Sequence, residues 1–358
     1  LGDGQSIDGS GTGIFASNLT GLEPGVTYYI RAYATNGVGT AYGQELSFTT
    51  PAVLPTVEIS GISSLTDSSA VIGAEVLNQG GAAVTARGIV WSTNPQPDLN
   101  ANVIPSGSGT GVFQEAITGL DPGTIYYVRA YATNSVGTAY SEEITVTTPA
   151  VLPVVVTNVV TAITDSSALS GGNVLYDGGA TITSRGIVWS DTPNPTLAVR
   201  NTSDGTGSGS YTSQIKDLVP GTVYYVRAYA TNSVGTAYGQ EESFMSAPVL
   251  PQVETDTISS IVYNSAVSGG NVTYDGGAAV SAKGLVWGTA PAPVLDTLFS
   301  LNGSGTGSFT GTMAPLDPGT TYYVRAYATN AAGTAYGQER TFLTPAIFKG
   351  DAIFLKTV

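Results

Sequence analysis

Arg129, Arg227 and Arg325 each lie between two tyrosines at a spacing of two: Tyr127 and Tyr131, Tyr225 and Tyr229, Tyr323 and Tyr327. Residues two apart on an extended strand share a face, so each set would hold two aromatic rings beside a guanidinium. Such rings stack on sugar rings, and the guanidinium bridges hydroxyls or carboxylates. These three sets are the candidate ligand face, and its partner would be a polysaccharide or surface glycan. The competing reading is a cross-strand ladder, with Arg87 or Arg185 on the neighbouring strand and the tyrosines covering them. Seven of the twelve basic residues occupy two repeated positions: Arg31, Arg129, Arg227 and Arg325 at one, Arg87, Arg185 and Lys283 at the other. A position filled alike in every copy is what a scaffold needs, whereas ligand sites are free to differ between copies.

Other chemistry finds little to stand on. The chain has no histidine and no cysteine, which removes triads, thiol nucleophiles and histidine-held metals. The adjacent pairs Glu142–Glu143 and Glu241–Glu242 would point to opposite sides of a strand, so neither makes a two-carboxylate glycosidase site. The runs Ser106–Gly111 and Asn302–Gly307 look like phosphate cradles. A cradle needs a helix N-terminus or a lysine, and here a strand follows. Calcium needs six to eight converging oxygens. Asp67 and Asp165 give way to Tyr263 in the next copy, and Asp177 and Asp275 to Gln79. A calcium at a module junction, using Glu58 or Glu254, is not indicated. No catalytic, cofactor or metal residue is assigned, and the chain reads as a non-enzyme.

The elements that position the tyrosines and arginines come from the repeat itself. Trp91, Trp189 and Trp287 lie 98 residues apart, as do Pro55, Pro153 and Pro251. A period near 100 is too long for a solenoid unit and fits a small β-sandwich. The register divides the chain into the second half of a module over 1–50, modules over 51–148, 149–246 and 247–344, and a different segment or tail over 345–358. Within 51–148, Thr56–Ser60 reads as a strand. Ala70, Ile72, Ala74 and Val76 alternate on one face, and Asn78–Ala82 is a glycine turn that becomes Tyr-Asp-Gly-Gly-Ala in the next two copies. Val84–Ser92, Gly111–Ile117, Thr124–Asn134 and Gly137–Thr148 complete about seven strands, with no helix-period segment. The prolines of Asn94–Asp98 argue against a central strand there. The net charge of −14 and the 11% of charged residues argue against nucleic acid. No apolar run approaches a membrane span.

The motif L-x-P-G-x-x-Y-Y-[VI]-R-A-Y-A-T-N begins at Leu22, Leu120, Leu218 and Leu316. It resembles the tyrosine-corner region of fibronectin type III domains. That resemblance implies an all-β tandem array of immunoglobulin-like or fibronectin type III-like sandwiches, set out as an extended rod. It makes Tyr28, Tyr126, Tyr224 and Tyr322 the structural corner tyrosines, with hydroxyls bonded to backbone just upstream. One departure is the tryptophan, which follows the glycine hairpin, whereas fibronectin modules usually carry theirs one strand earlier. Tandem units with Arg-Gly-Ile-Val-Trp-Ser and Gly-Ser-Gly-Thr-Gly look like those of large secreted or surface adhesin-type proteins of Bacteroidetes. The implied role is a stalk or spacer outside the cell, whose partners are neighbouring repeats of the same polypeptide. The prolines of Thr-Thr-Pro-Ala-Val-Leu-Pro stiffen the joints. A further alternative is a filament subunit, in which the β-prone Ala352–Val358 fills the incomplete module of another copy.

Overall fold

The computed structural model describes residues 4–347. Most of the expected tail, including the strand-donating segment Ala352–Val358, lies outside the described residues. Every paired strand among those described is antiparallel, and none of the described residues is helical. The chain divides into two compact units, Leu1–Val151 with Gly178–Ala180, and Leu152–Asp177 with Thr181–Val358.

In the first unit, Thr56–Ser63, Ser69–Asn78 and Gly111–Thr118 form a three-stranded sheet with Ser69–Asn78 at its centre. The second sheet places Ala86–Ser92 between Asn102–Pro105 and Ile125–Thr133. On its far side Ile125–Thr133 pairs with both Thr138–Tyr140 and Ile144–Thr147. The two sheets pack as a sandwich because alternation aims one side of each strand inward. Ala70, Ile72 and Ala74 of one sheet meet Ile89, Val128, Ala130 and Ala132 of the other, all fully buried. Burying each larger aliphatic there contributes about 1.5–3 kcal/mol.

The second unit repeats this plan twice. Its two cores are separate clusters, each containing a buried tryptophan, Trp189 in one and Trp287 in the other. The chain is thus an all-β tandem array of sandwich modules. Two features are absent from the sequence reading. A short edge strand (Asn102–Pro105, Arg200–Asn201, Leu298–Leu301) follows the proline loop. The last strand breaks in two at Ser141, Gly239 and Gly337, whose N–H groups still bond the neighbouring strand while their carbonyls accept from an arginine.

Residues 4–50 carry only Thr27–Ile30 paired with Leu46–Thr49, and Tyr33–Thr35 paired with Thr40–Tyr42.

Candidate functional site

The strand Ile125–Thr133 sits between two neighbours, with Tyr131 opposite Gly88 and Tyr140. Its inner face is Val128, Ala130 and Ala132. The outer face carries Tyr127, Arg129 and Tyr131, but it is not the open surface expected from the sequence. Tyr131, Tyr229 and Tyr327 are only 4%, 2% and 2% exposed, and Tyr127, Tyr225 and Tyr323 are half-buried. The reason is a glycine on the adjacent strand. A Cβ on Gly88, Gly186 or Gly284 would lie 2.8, 2.9 and 2.9 Å from the ring Cε1 of Tyr131, Tyr229 and Tyr327. Each ring lies over a bare backbone, walled in by the edge strand and the loop that follows it. Tyr229 Oη donates to the Thr202 carbonyl at 2.7 Å and Tyr327 Oη to that of Ser300 at 3.1 Å. Burial raises the Tyr131 and Tyr327 hydroxyl pKa values above that of a free tyrosine, and the neighbouring Tyr140 and Tyr336 add to the effect.

The arginines are equally occupied. Arg129, Arg227 and Arg325 donate from Nε to the carbonyls of Ser141, Gly239 and Gly337, each at 3.0 Å. Their guanidinium carbons lie 4.7–4.8 Å from the ring centres of Tyr140, Tyr238 and Tyr336, within cation–π range. Those capping tyrosines in turn accept from the backbone N–H of Leu99, Leu197 and Leu295. The carboxylates of Glu143, Glu241 and Glu339 hold the same loop through the N–H of Gln96, Asn194 and Ala292. Each set is therefore a brace that ties the proline loop to the sheet.

The second basic position stands apart from the first, correcting the expected ladder. Arg129 is paired with Val90, whereas Arg87 is paired with Ala132; the odd separation of Val90 from Arg87 puts the two arginines on opposite faces. Arg87 lies over Phe113 at 4.8 Å, and its Nη1 donates to the carbonyls of Gly109, Thr110 and Gly111 at 3.0–3.3 Å. Arg185 does the same to Gly207, Ser208 and Gly209. Lys283 serves Thr306 and Gly307. The glycine-rich runs thus turn carbonyls toward an internal cation, the opposite polarity to a phosphate cradle. Among the described residues no three His, Cys, Asp or Glu converge on a metal position.

The corner tyrosines frame a second constellation. Tyr28, Tyr126, Tyr224 and Tyr322 accept, through their hydroxyls, the N–H of Glu23, Asp121, Val219 and Asp317 at 2.7–3.1 Å. Thr50, Thr148, Ser246 and Thr344 donate to the carbonyls of those same four residues at 2.6 Å. A loop pinned at both backbone groups presents a rigid Pro-Gly apex.

Inside each unit that apex meets the Gly-Gly turn of the following module, backbone against backbone. A Cβ on Gly25 would lie 2.1 Å from the Gly81 oxygen, and one on Gly81 2.3 Å from the Pro24 oxygen. In the second unit the corresponding figures are 1.7 Å for Gly221 against Gly277 and 2.3 Å for Gly277 against Pro220. All four glycines have φ between 65° and 80°, where a side chain is strained as well as obstructed. The linker closes the clasp: Val53 N donates to the Gly80 carbonyl at 2.8 Å and Val249 N to that of Gly276 at 2.9 Å. Asn134 Nδ2 then bridges the carbonyls of Val53 and Gln79, and Asn330 Nδ2 those of Val249 and Asp275, at 2.7–2.9 Å. The sequence carried the signal, since Pro-Gly and Gly-Gly recur in register, but it did not show that one turn receives the other.

No protein-family model matches the chain, and no curated protein sequence matches it. Among solved structures it is similar to the crystal structure of the chicken CNTN1 FN1–FN3 domains, with 16% identity over 82% of this chain and 98% of that one and a TM-score of 0.33. No helix among the described residues is long and apolar enough to cross a membrane.

Proposed function

We propose that the chain is a non-catalytic spacer, the repeat region of a secreted or cell-surface adhesin-type protein, whose partners are its own neighbouring repeats. The observation that carries this is the glycine clasp, which joins consecutive modules within each unit through rigid backbone rather than adaptable side chains. A spacer needs joints that hold an orientation. A linker fixed by two prolines, a backbone hydrogen bond and an asparagine bridge has few soft dihedrals left. The arginines and the most buried rings of the alternative chemistry support the same reading, since the guanidiniums brace a loop and Tyr131, Tyr229 and Tyr327 are covered. The carbohydrate face lacks open rings at Tyr131, Tyr229 and Tyr327, and no observation favours it over the spacer.

Backbone ¹⁵N relaxation tests the reading in the second unit. Residues 154–246 and 252–343 are expected to share one rotational correlation time, with Val249 as ordered as the strands. Two correlation times separated by a mobile linker would sink the spacer.

A further inference from the structure

We infer that the far end of module 247–344 is a preformed receptor for the Gly-Gly hairpin turn of a further sandwich module of this kind. The inference rests on the internal clasps described above. The Pro318–Gly319 apex carries the same frame as the apices already engaged. Tyr322 Oη accepts from Asp317 N at 3.0 Å and Thr344 Oγ1 donates to Asp317 O at 2.6 Å. Gly319 has φ 64°, against 70° at Gly25 and 65° at Gly221. Only the approach differs. Among the described residues a Cβ on Gly319 would meet nothing closer than Ala346, at an ordinary 3.6 Å, and no Gly-Gly turn stands against it.

The donor of the clasp is present too. Ile347 stands in the register of Val53 and Val249, whose N–H groups bind the Gly-Gly turn. Ile347 is 57% exposed, and its N–H has no partner among the described residues.

Beside this frame the surface is apolar. Ile261, Val262, Tyr263, Pro345, Ala346 and Ile347 line a groove of about 500 Å³, continuous with the apex through Ala346. The corresponding positions earlier in the chain carry Thr66 and Asp67, or Thr164 and Asp165, in place of Val262 and Tyr263. The occupant is thus a module with a glycine-glycine turn that also brings an apolar side chain to this groove. The exposed Leu77 and Leu175, which lie just before the turns of two modules here, are groups of that kind.

The experiment lengthens the chain at Ile347 by a second copy of residues 152–246, whose Leu175 supplies the apolar group before the Gly-Gly turn. Exchange of the Ile347 amide is expected to slow roughly 100-fold relative to the original chain. The added module should tumble with its recipient. Gly319→Val in the lengthened chain should reverse both effects while Trp287 fluorescence stays native. An unprotected Ile347 amide beside an added module that is folded but tumbles independently would overturn the receptor, as would a Gly319→Val chain that behaves like its parent. The Val249 amide in the same samples separates the two ideas. Val249 protected with Ile347 exposed defeats the receptor alone, whereas loss of protection at both defeats the spacer.

Discussion

Leu22–Asn36 and Leu316–Asn330 differ at only three of fifteen positions, yet they fold to different extents. In the later run, Thr321–Asn330 is one continuous strand bonded on both sides. In the earlier run the strand breaks into Thr27–Ile30 and Tyr33–Thr35, and each piece is paired on one side only. Val324 is fully buried, whereas its counterpart Ile30 is 37% exposed. Some features survive in both. The corner tyrosine reaches its backbone N–H, and the arginine still lies over a tyrosine. The survivors all close within about 27 residues, and the losses all depend on strands from the first half of a module. Ala326 N, for example, donates to Thr255 Oγ1 at 2.9 Å, across 71 residues. Corner, hairpin and brace are local products of the motif, and the core is not.

The sharpest way to break this comparison is to cut the same ring in both places. Phe342 is 6% exposed and stacks on Tyr322 at 5.8 Å; Phe48 is 36% exposed and stacks on Tyr28 at 5.9 Å. Phe342→Ala leaves a cavity between two sheets and is expected to cost about 3–5 kcal/mol. Phe48→Ala has no second sheet to open and should cost about 1 kcal/mol or less. Urea unfolding followed by Trp287 reads the first, and amide exchange over Thr27–Ile30 reads the second. Equal costs would mean that the earlier run is packed as tightly as the later one.

A second comparison sets module 149–246 against module 247–344 through a single hydroxyl. Tyr211 stands where the other complete modules have Phe113 and Phe309. Its Oη donates to the Gly186 carbonyl at 2.7 Å, inside the sandwich. Burial pushes its pKa well above that of a free tyrosine, and the nearby Asp204 carboxylate pushes it further, against the smaller lowering effect of Arg185. Folding therefore favours the protonated phenol. That contribution is whole below the unfolded tyrosine pKa near 10 and drains away as pH rises above it. The transition reported by Trp189 should fall faster above pH 10 than the one reported by Trp287, whose module retains only the weaker effect at Tyr327. Tyr211→Phe should remove the difference. A Trp189 transition that tracks Trp287 at every pH would show that the hydroxyl finds equivalent surroundings after unfolding.

Period-2 alternation was enough to place Ala70, Ile72, Ala74 and Val76 on one buried face, because side-chain direction in a strand depends on parity alone. The same parity rule put Arg129 with Tyr131 on the outer face, but outward is not the same as exposed. What covers Tyr131 is the edge strand, whose Ile104 oxygen and Pro105 Cα flank the Gly88 backbone under its ring, and the alternation of Ile125–Thr133 does not encode that neighbour. The clasp was hidden for a related reason. Glycine pairs and Pro-Gly turns announce their own backbone conformation, but their mutual approach is a property of two modules. Only the spacing of Gly25 and Gly81, or Gly221 and Gly277, reveals it.

The smallest expected effect lies in the brace common to both runs. Arg325 Nε donates to Gly337 O at 3.0 Å and Arg31 Nε to Gly43 O at 3.1 Å, so the hydrogen bond is matched. The cation–π contact is not, at 4.7 Å for Arg325 over Tyr336 and 5.5 Å for Arg31 over Tyr42. Arg325 is half-buried, whereas Arg31 is exposed and its charge is better screened by water. Exchanging arginine for methionine keeps the stem that packs on the ring and removes the charge and the donor. Arg325→Met should then cost about 1–2 kcal/mol and Arg31→Met about 0.5 kcal/mol. Arg325→Lys restores the charge without the planar fork and should recover only part of the loss. Full recovery by lysine would assign the brace to charge over the ring, and no recovery would assign it to the Nε hydrogen bond. If Arg31→Met proved as costly as Arg325→Met, the brace would hold its strength without a core behind it, and the motif would be more autonomous than its broken strand suggests.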